Sequence, residues 1–244
     1  MIEISNITKH FDGDDRPALT DVSAQFAEGI TNLIIGRSGS GKTVLMKCLI
    51  GLLTPDAGSI CYDGRILGAL SKNELLALRQ EMGVLFQSSA LFDAMSVLDN
   101  VLFPLEMFST LSSAERRARA FECLERVGMV DAAGKRPSEL SGGMQKRVAI
   151  ARAIVLKPRY LFCDEPNSGL DPVSSMIIDD LIHSITKEIG MTTIVNTHDM
   201  NSVLGIGENI LFIHEGSTAW RGTKEEVLHS DNALLRAFLS PALK

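Results

Sequence analysis

No apolar run in this chain approaches the roughly 18 residues needed to cross a bilayer, so any membrane role must come through a partner. The N-terminus, MIEISNITKHF, alternates apolar and polar residues and lacks a signal-peptide core. Cysteines are few: Cys48, Cys61, Cys123 and Cys163 show no metal-ligand spacing, and two of them sit inside apolar runs. That usage points to a reduced, cytosolic setting. An excess of positive charge is also missing. The formal net charge is −6, which argues against a general nucleic-acid binder. Internal repeats and low-complexity linkers are absent as well. What remains is an ordinary folding composition over 244 residues, 45% hydrophobic and 22% charged, enough for one large domain with a smaller lobe.

Along the chain, MIEISNI, LTDVSAQF and ITNLII read as β structure. GSICYDGRIL reads as a hairpin turning at Asp63-Gly64. The helix GKTVLMKCLIGLL before it is expected to end near Thr54-Pro55. From Leu91 to about Val155 the pattern is mainly helical, with Ser112 and Glu115 at capping-box spacing. Strands then alternate with helices: RYLFCDE, a helix with Ile177, Leu181, Ile182, Ile185 and Ile189 on one face, then TTIVNTH. Such alternation predicts an α/β fold with a parallel sheet and ligands at the carboxyl ends of its strands.

Two stretches carry chemistry. GRSGSGKT follows the apolar strand NLII and opens a helix, as a phosphate-binding loop requires. Gly36, Ser38, Gly39, Ser40 and Gly41 let backbone N–H groups wrap phosphates. Lys42 reaches the β and γ oxygens, and Thr43 ligates Mg²⁺. YLFCDEP ends a strand in Asp164, placed to hold Mg²⁺ or its waters, and Glu165 is placed to orient or deprotonate an attacking water. LSGGMQKR raises a separate question, because two glycines at a helix start cost stability but offer N–H donors to an anion.

The phosphate loop, LSGGMQKR, CDEPNSGLD and NTHD resemble the ATP-binding cassette ATPases along nearly the whole chain. The resemblance implies ATP and Mg²⁺ as ligands, and a P-loop, RecA-like core of mainly parallel sheet. An N-terminal antiparallel β subdomain and an inserted helical subdomain accompany that core. It implies a single ATPase domain over residues 1–222, the helical part roughly 91–155, and a C-terminal helical extension at 223–244. Two copies would pack head to tail, so that Ser141, Gly142 and Gly143 meet the γ-phosphate held by the other copy. By position, Gln87 matches the glutamine that senses Mg²⁺ and the attacking water. Asp171 matches the aspartate of the dimer seam, His198 the switch histidine, and Phe11 the aromatic that stacks on adenine. Met144 and Asn167 depart from the commonest family residues at positions expected to carry no chemistry.

One cassette per chain and a short interval before the signature favour a transporter ATPase over the repair and translation types. Lys42, Glu165 and His198 speak against an inactive regulatory cassette. LFQSSALFDAMSVLDNVLFPL is similar to the ATPases of MCE-associated phospholipid transport, the Mla type. That likeness implies integral-membrane permease subunits, an MCE-domain protein and a small STAS-domain partner, on the cytoplasmic face of a bacterial inner membrane. Amino-acid or metal-chelate import is the alternative. In the tail, Thr223 and Glu226 have capping-box spacing, and Leu234, Leu235, Phe238 and Leu239 are expected on one buried helical face. That face packs on its own cassette, crosses to a second copy or holds a regulatory partner.

Overall fold

A computed structural model describes residues 1–13 and 16–239. Two sheets organise it. The first is antiparallel, in the order β2-β1-β4-β5, from β1 (Ile2–Lys9), β2 (Leu19–Phe26), β4 (Ala57–Tyr62) and β5 (Arg65–Ile66). Alternating burial along β1 and β2 puts Ile2, Ile4, Ile7, Val22 and Phe26 on its inner face. Asp63 and Gly64, at φ 46° and 83°, close the predicted hairpin with the two positive φ values of a type I′ turn.

The second sheet has the order β10-β9-β3-β8-β7-β6. It comprises β3 (Thr31–Ile35), β6 (Met82–Leu85), β7 (Tyr160–Asp164), β8 (Thr192–Thr197), β9 (Asn209–His214) and β10 (Ser217–Gly222). All neighbours pair in parallel except β10, which runs antiparallel to β9. Residues 31–35 and 192–197 are buried throughout, as expected of strands covered on both faces. Helix α1 (Lys42–Leu49) packs with β7 and β8, and α2 (Lys72–Gln80) with β6.

The predicted helical middle contains α3 (Val97–Phe108), α4 (Ser113–Arg126) and α5 (Gly142–Ile154), which pack on one another. The Ser112–Glu115 capping box forms as expected. Helices α6 (Pro172–Ile189) and α7 (Met200–Ile206) follow, and α8 (Lys224–Val227) and α9 (Ala233–Leu239) close the described chain.

Three expectations need correction. Helix α1 stops at Leu49, short of Thr54-Pro55. Gly51 takes φ 70° and donates to Cys48 O, while Leu52 donates to Lys47 O, the paired bonds of a glycine-closed helix end. On α6 the buried face runs through Ile178, Ile182 and Ile185, and Ile177 is 52% exposed. On α9, Leu235 and Leu239 are buried and Phe238 packs 5.3 Å from Phe212, but Leu234 is 46% exposed. The tail therefore joins its own chain's core, and Val227, Leu235 and Leu239 belong to the same cluster as β9 and α5. Residues 240–244 of the predicted tail lie outside the described residues.

Candidate nucleotide site

The site is assembled by strand ends. In parallel pairing β3, β7 and β8 finish side by side, with Asp164 opposite Asn196 and Ile35 opposite Thr197. The segments that leave these three ends are therefore brought together: the loop 36–41 after β3, Glu165 after β7 and His198 after β8.

Loop 36–41 needs its glycines for space as well as for dihedral angle. A Cβ on Gly41, at φ 105°, would lie 2.7 Å from Ala18 O. One on Gly36 would lie 2.4 Å from Ile213 O. Gly41 is also the N-cap of α1 and brings no side-chain cap, so the first-turn N–H groups are left to a ligand. Lys42, 6% exposed, folds back over this turn and donates to Gly36 O at 2.9 Å and Arg37 O at 3.2 Å. Its ammonium lies 3.5 Å from Glu165.

Thr43 donates its hydroxyl to Asp164 at 3.2 Å, and Asn196 donates to the same oxygen at 2.9 Å. This is an all-oxygen pair suited to a hard cation. Among the described residues no group of three or more His, Cys, Asp or Glu is arranged to hold a metal. A cation here would need oxygens from a phosphate as well. Ser40 Oγ is buried without a partner beside this turn.

Glu165 adopts φ 49°, a left-handed conformation costly for a side chain with a Cβ. Its N–H is fixed by Asn196 O at 3.0 Å, and its carboxylate meets His198 Nδ1 at 2.8 Å. The carboxylate thus sits between an ammonium and an imidazole. Gln87, just beyond β6, donates to Ser168 Oγ at 3.0 Å. One cavity of about 290 Å³ is lined by Ser38, Gly39, Gly41, Lys42, Thr43, Gln87, Glu165 and His198. A larger one beside it adds Ser168, Asp199 and Phe238.

Ser141, Gly142 and Gly143 line neither cavity. They start α5 against their own chain's α6 segment, where a Cβ on Gly142 would lie 3.4 Å from Leu170. Ser141 caps α5 by accepting from Met144 N. Asp171 caps α6, accepting from Val173 N, Ser174 N and Ser174 Oγ; those bonds, the Ser174 hydroxyl's first, lower its carboxyl below the usual range. Phe11 is half-exposed, 5.8 Å below Lys9 Nζ, and also lines neither cavity.

The sequence reading passed over Asn196, which orients Asp164. It also left Asn167 without a role. Asn167 is buried and donates to Asp179 on α6 and Ser202 on α7, and Ser202 donates to Asp179. Burial, helped by the charges of Asp199 and Asp180, raises the Asp179 carboxyl against the hydrogen bonds from Ser202 and Asn167. These partners lie on separate helices, and no local pattern announces them.

The sequence pattern of the ABC transporter family matches residues 19–168. The chain belongs to the ABC transporter family. As an ABC ATPase it binds and hydrolyses ATP. It is 40% identical over 239 residues, 98% of its length and 90% of the relative's, to the intermembrane phospholipid transport ATP-binding protein MlaF of Haemophilus influenzae. It is 41% identical to the methionine import protein MetN 3 of Pseudomonas fluorescens, covering 98% of this chain and 74% of that one. A probable ribonucleotide transport ATP-binding protein, mkl of Mycobacterium tuberculosis, is 39% identical, and the chain spans 66% of its length. Among solved structures, the dimeric ABC transporter cassette MJ0796 superposes with a TM-score of 0.84 at 33% identity, covering 92% of this chain and 99% of that one. The same cassette is known in a dimeric post-hydrolysis state with ADP and Pi, with a TM-score of 0.83.

Proposed function

We propose that this ABC ATPase works as a head-to-tail homodimer that drives a membrane permease carrying phospholipid or a related lipid across a bacterial envelope. The observation that carries the catalytic part is the convergence of Lys42, Thr43, Glu165 and His198 on one cavity, with Asp164 held behind it by the Thr43 hydroxyl. In this reading the loop 36–41 and the open first turn of α1 cradle the phosphates, and Lys42 neutralises their charge. Thr43 and Asp164 hold Mg²⁺, which supplies charge stabilisation to the phosphoryl oxygens when bound. Glu165 accepts a proton from the attacking water, His198 keeps that carboxylate aimed, and Gln87 orients the water. Phe11 stacks on the adenine. Ser141, Gly142, Gly143 and Asp171 act on the partner's nucleotide, which is supported by the exposure of Ser141, Gly142 and Asp171 and by the absence of all four from the cavities of their own chain.

A groove of about 560 Å³ between α2, β6 and α3 supports a permease partner. Leu76, Phe86, Phe92 and Phe108 are all exposed along it. No helix among the described residues is long and apolar enough to cross a membrane. The ATPase then sits on the cytoplasmic face of the inner membrane through that partner. The MlaF relative and the similarity of residues 85–105 to MCE-associated cassettes support lipid as cargo, with an MCE-domain protein and a STAS-domain protein as companions. The MetN relatives, at equal identity, support amino-acid import as the second reading. Purifying the tagged chain from membranes and identifying what accompanies it separates them. A permease with an MCE-domain subunit supports lipid transport, and one with a substrate-binding lipoprotein overturns it.

A further inference from the structure

The segment joining β6 to α3 serves two places. Gln87 lines the phosphate-loop cavity, and Phe86, Ala90 and Phe92 line the apolar groove. Between them the backbone is unusual. Ser89 and Ala90 stand at φ 61° and 48°, two consecutive left-handed residues that both carry a Cβ. Such a pair persists only where the surroundings over-determine it.

One helix supplies the constraint. Lys146 of α5 donates its ammonium to Gln87 O. Arg152 donates to Ser89 O at 2.9 Å and Ala90 O at 2.8 Å, and its guanidinium lies 5.7 Å from the Phe92 ring centre. Lys146 is only 4% exposed, and burial lowers its pKa against the pull of Asp164 and Glu165. The rest of α5 at this depth, Val148, Ala149, Ile150 and Ala151, is plain core. A buried cation among such residues is costly unless its hydrogen bond is needed.

We infer that Lys146 and Arg152 are positioning residues which clamp residues 87–90, with Ser89 and Ala90 left-handed, in the conformation that aims Gln87 into the cavity. The helix that starts with the signature turn thereby sets the place of Gln87 in its own chain. A shift of α5 on meeting the partner's nucleotide would move Gln87 and the groove wall together. The inference rests on the reading of Gln87 as the residue that orients the water.

Lys146→Met keeps the bulk of the side chain and removes its donor and charge. In the full-length protein kcat should fall about ten- to a hundredfold, with KM for ATP held within about twofold. Combined with Gln87→Ala, it should be no slower than Gln87→Ala alone, because both remove one function. Effects that multiply, or no loss in Lys146→Met, overturn the clamp. Arg152→Lys loses the forked donor, and adding Ala90→Gly should restore most of its turnover, since glycine takes positive φ freely. No recovery overturns the clamp as well. Amide hydrogen exchange over residues 86–92 provides a readout independent of catalysis. It should accelerate in Lys146→Met and Arg152→Lys, and unchanged exchange overturns the clamp. Accelerated exchange with Gln87→Ala hydrolysing at the wild-type rate would keep the contacts but remove the role given to Gln87, and with it the positioning claim.

Discussion

Two helix starts in this molecule have opposite characters. The start of α1 has no side-chain cap, lies inside a formed cavity and carries a buried lysine. The start of α5 is capped by its own Ser141, is exposed, and faces neither cavity of its chain. Both expose glycines, and both are suited to anions by their dipoles. The first lines a cavity of its own chain, whereas the second lines neither. In the proposed dimer, a single cassette supplies a binding loop and, elsewhere on its surface, the lid for another.

The test that most strongly breaks or sustains this contrast uses mixed dimers. Lys42→Ala in one chain and Ser141→Arg in the other leave one composite site whole, formed by the unmutated loop of one and the unmutated start of α5 of the other. Both changes in one chain, paired with wild type, leave none. ATP occupancy of one per dimer against zero is the expected result, and equal occupancy would mean that each chain completes its own site.

Next in size is Glu165→Gln. The amide keeps the shape and loses the charge, so hydrolysis should slow by about two to four powers of ten while ATP binding persists. A dimer holding uncleaved ATP should then accumulate on gel filtration. Turnover near that of wild type would remove Glu165 from the reaction.

The same contrast governs how much was legible in the sequence. The phosphate loop, Gln87, Glu165 and His198 of the α1 cavity each follow a strand end, and parallel register brings such ends together without further information. The left-handed Glu165 and the Lys42 contact refine that picture without changing it. The start of α5 was legible only as a motif, because it lines no cavity of its own chain. Lys146, Arg152, Asn196 and the Asn167–Asp179–Ser202 cluster were not legible. Each is a polar residue whose burial depends on an element distant in sequence. The wrong face on α6 has a simpler cause: Ile177 and Ile178 are adjacent and both apolar, so periodicity alone fits either.

The tail sharpens the comparison from beside the α1 cavity, since Phe238 lines the larger cavity next to it. Leu235 is fully buried, so Leu235→Ala should cost about 2–5 kcal/mol in urea unfolding. The same change at the exposed Leu234 should cost about 0.5 kcal/mol or less. Equal effects would mean that α9 does not pack on its own cassette. Truncation after Gly222 is for the same reason expected to destabilise the chain.

The smallest effect concerns the buried cluster of Asn167, Asp179 and Ser202. Burial raises the Asp179 carboxyl, so its folded-state value lies above the unfolded one. Its contribution to stability is therefore present at low pH and lost as pH rises through the folded-state value. Asp179→Asn escapes that loss. The melting temperature of the variant minus that of wild type should become more positive as pH rises above the ordinary carboxylate range. A pH-independent difference would show that Asp179 does not titrate in this range.

The free cysteines have a consequence of their own. Cys48 on α1, Cys123 on α4 and Cys163 on β7 are all buried, each on a different element, and none is in a disulfide. Burial pushes Cys48 and Cys123 up to about 11 and raises Cys163 further, so in the closed molecule each thiol is shielded and uncharged. Alkylation must then wait for the layer around each sulfur to open. Three unmodified side chains thus work as separate clocks for the breathing of the molecule. The one beside Asp164 records how often the catalytic strand itself comes loose.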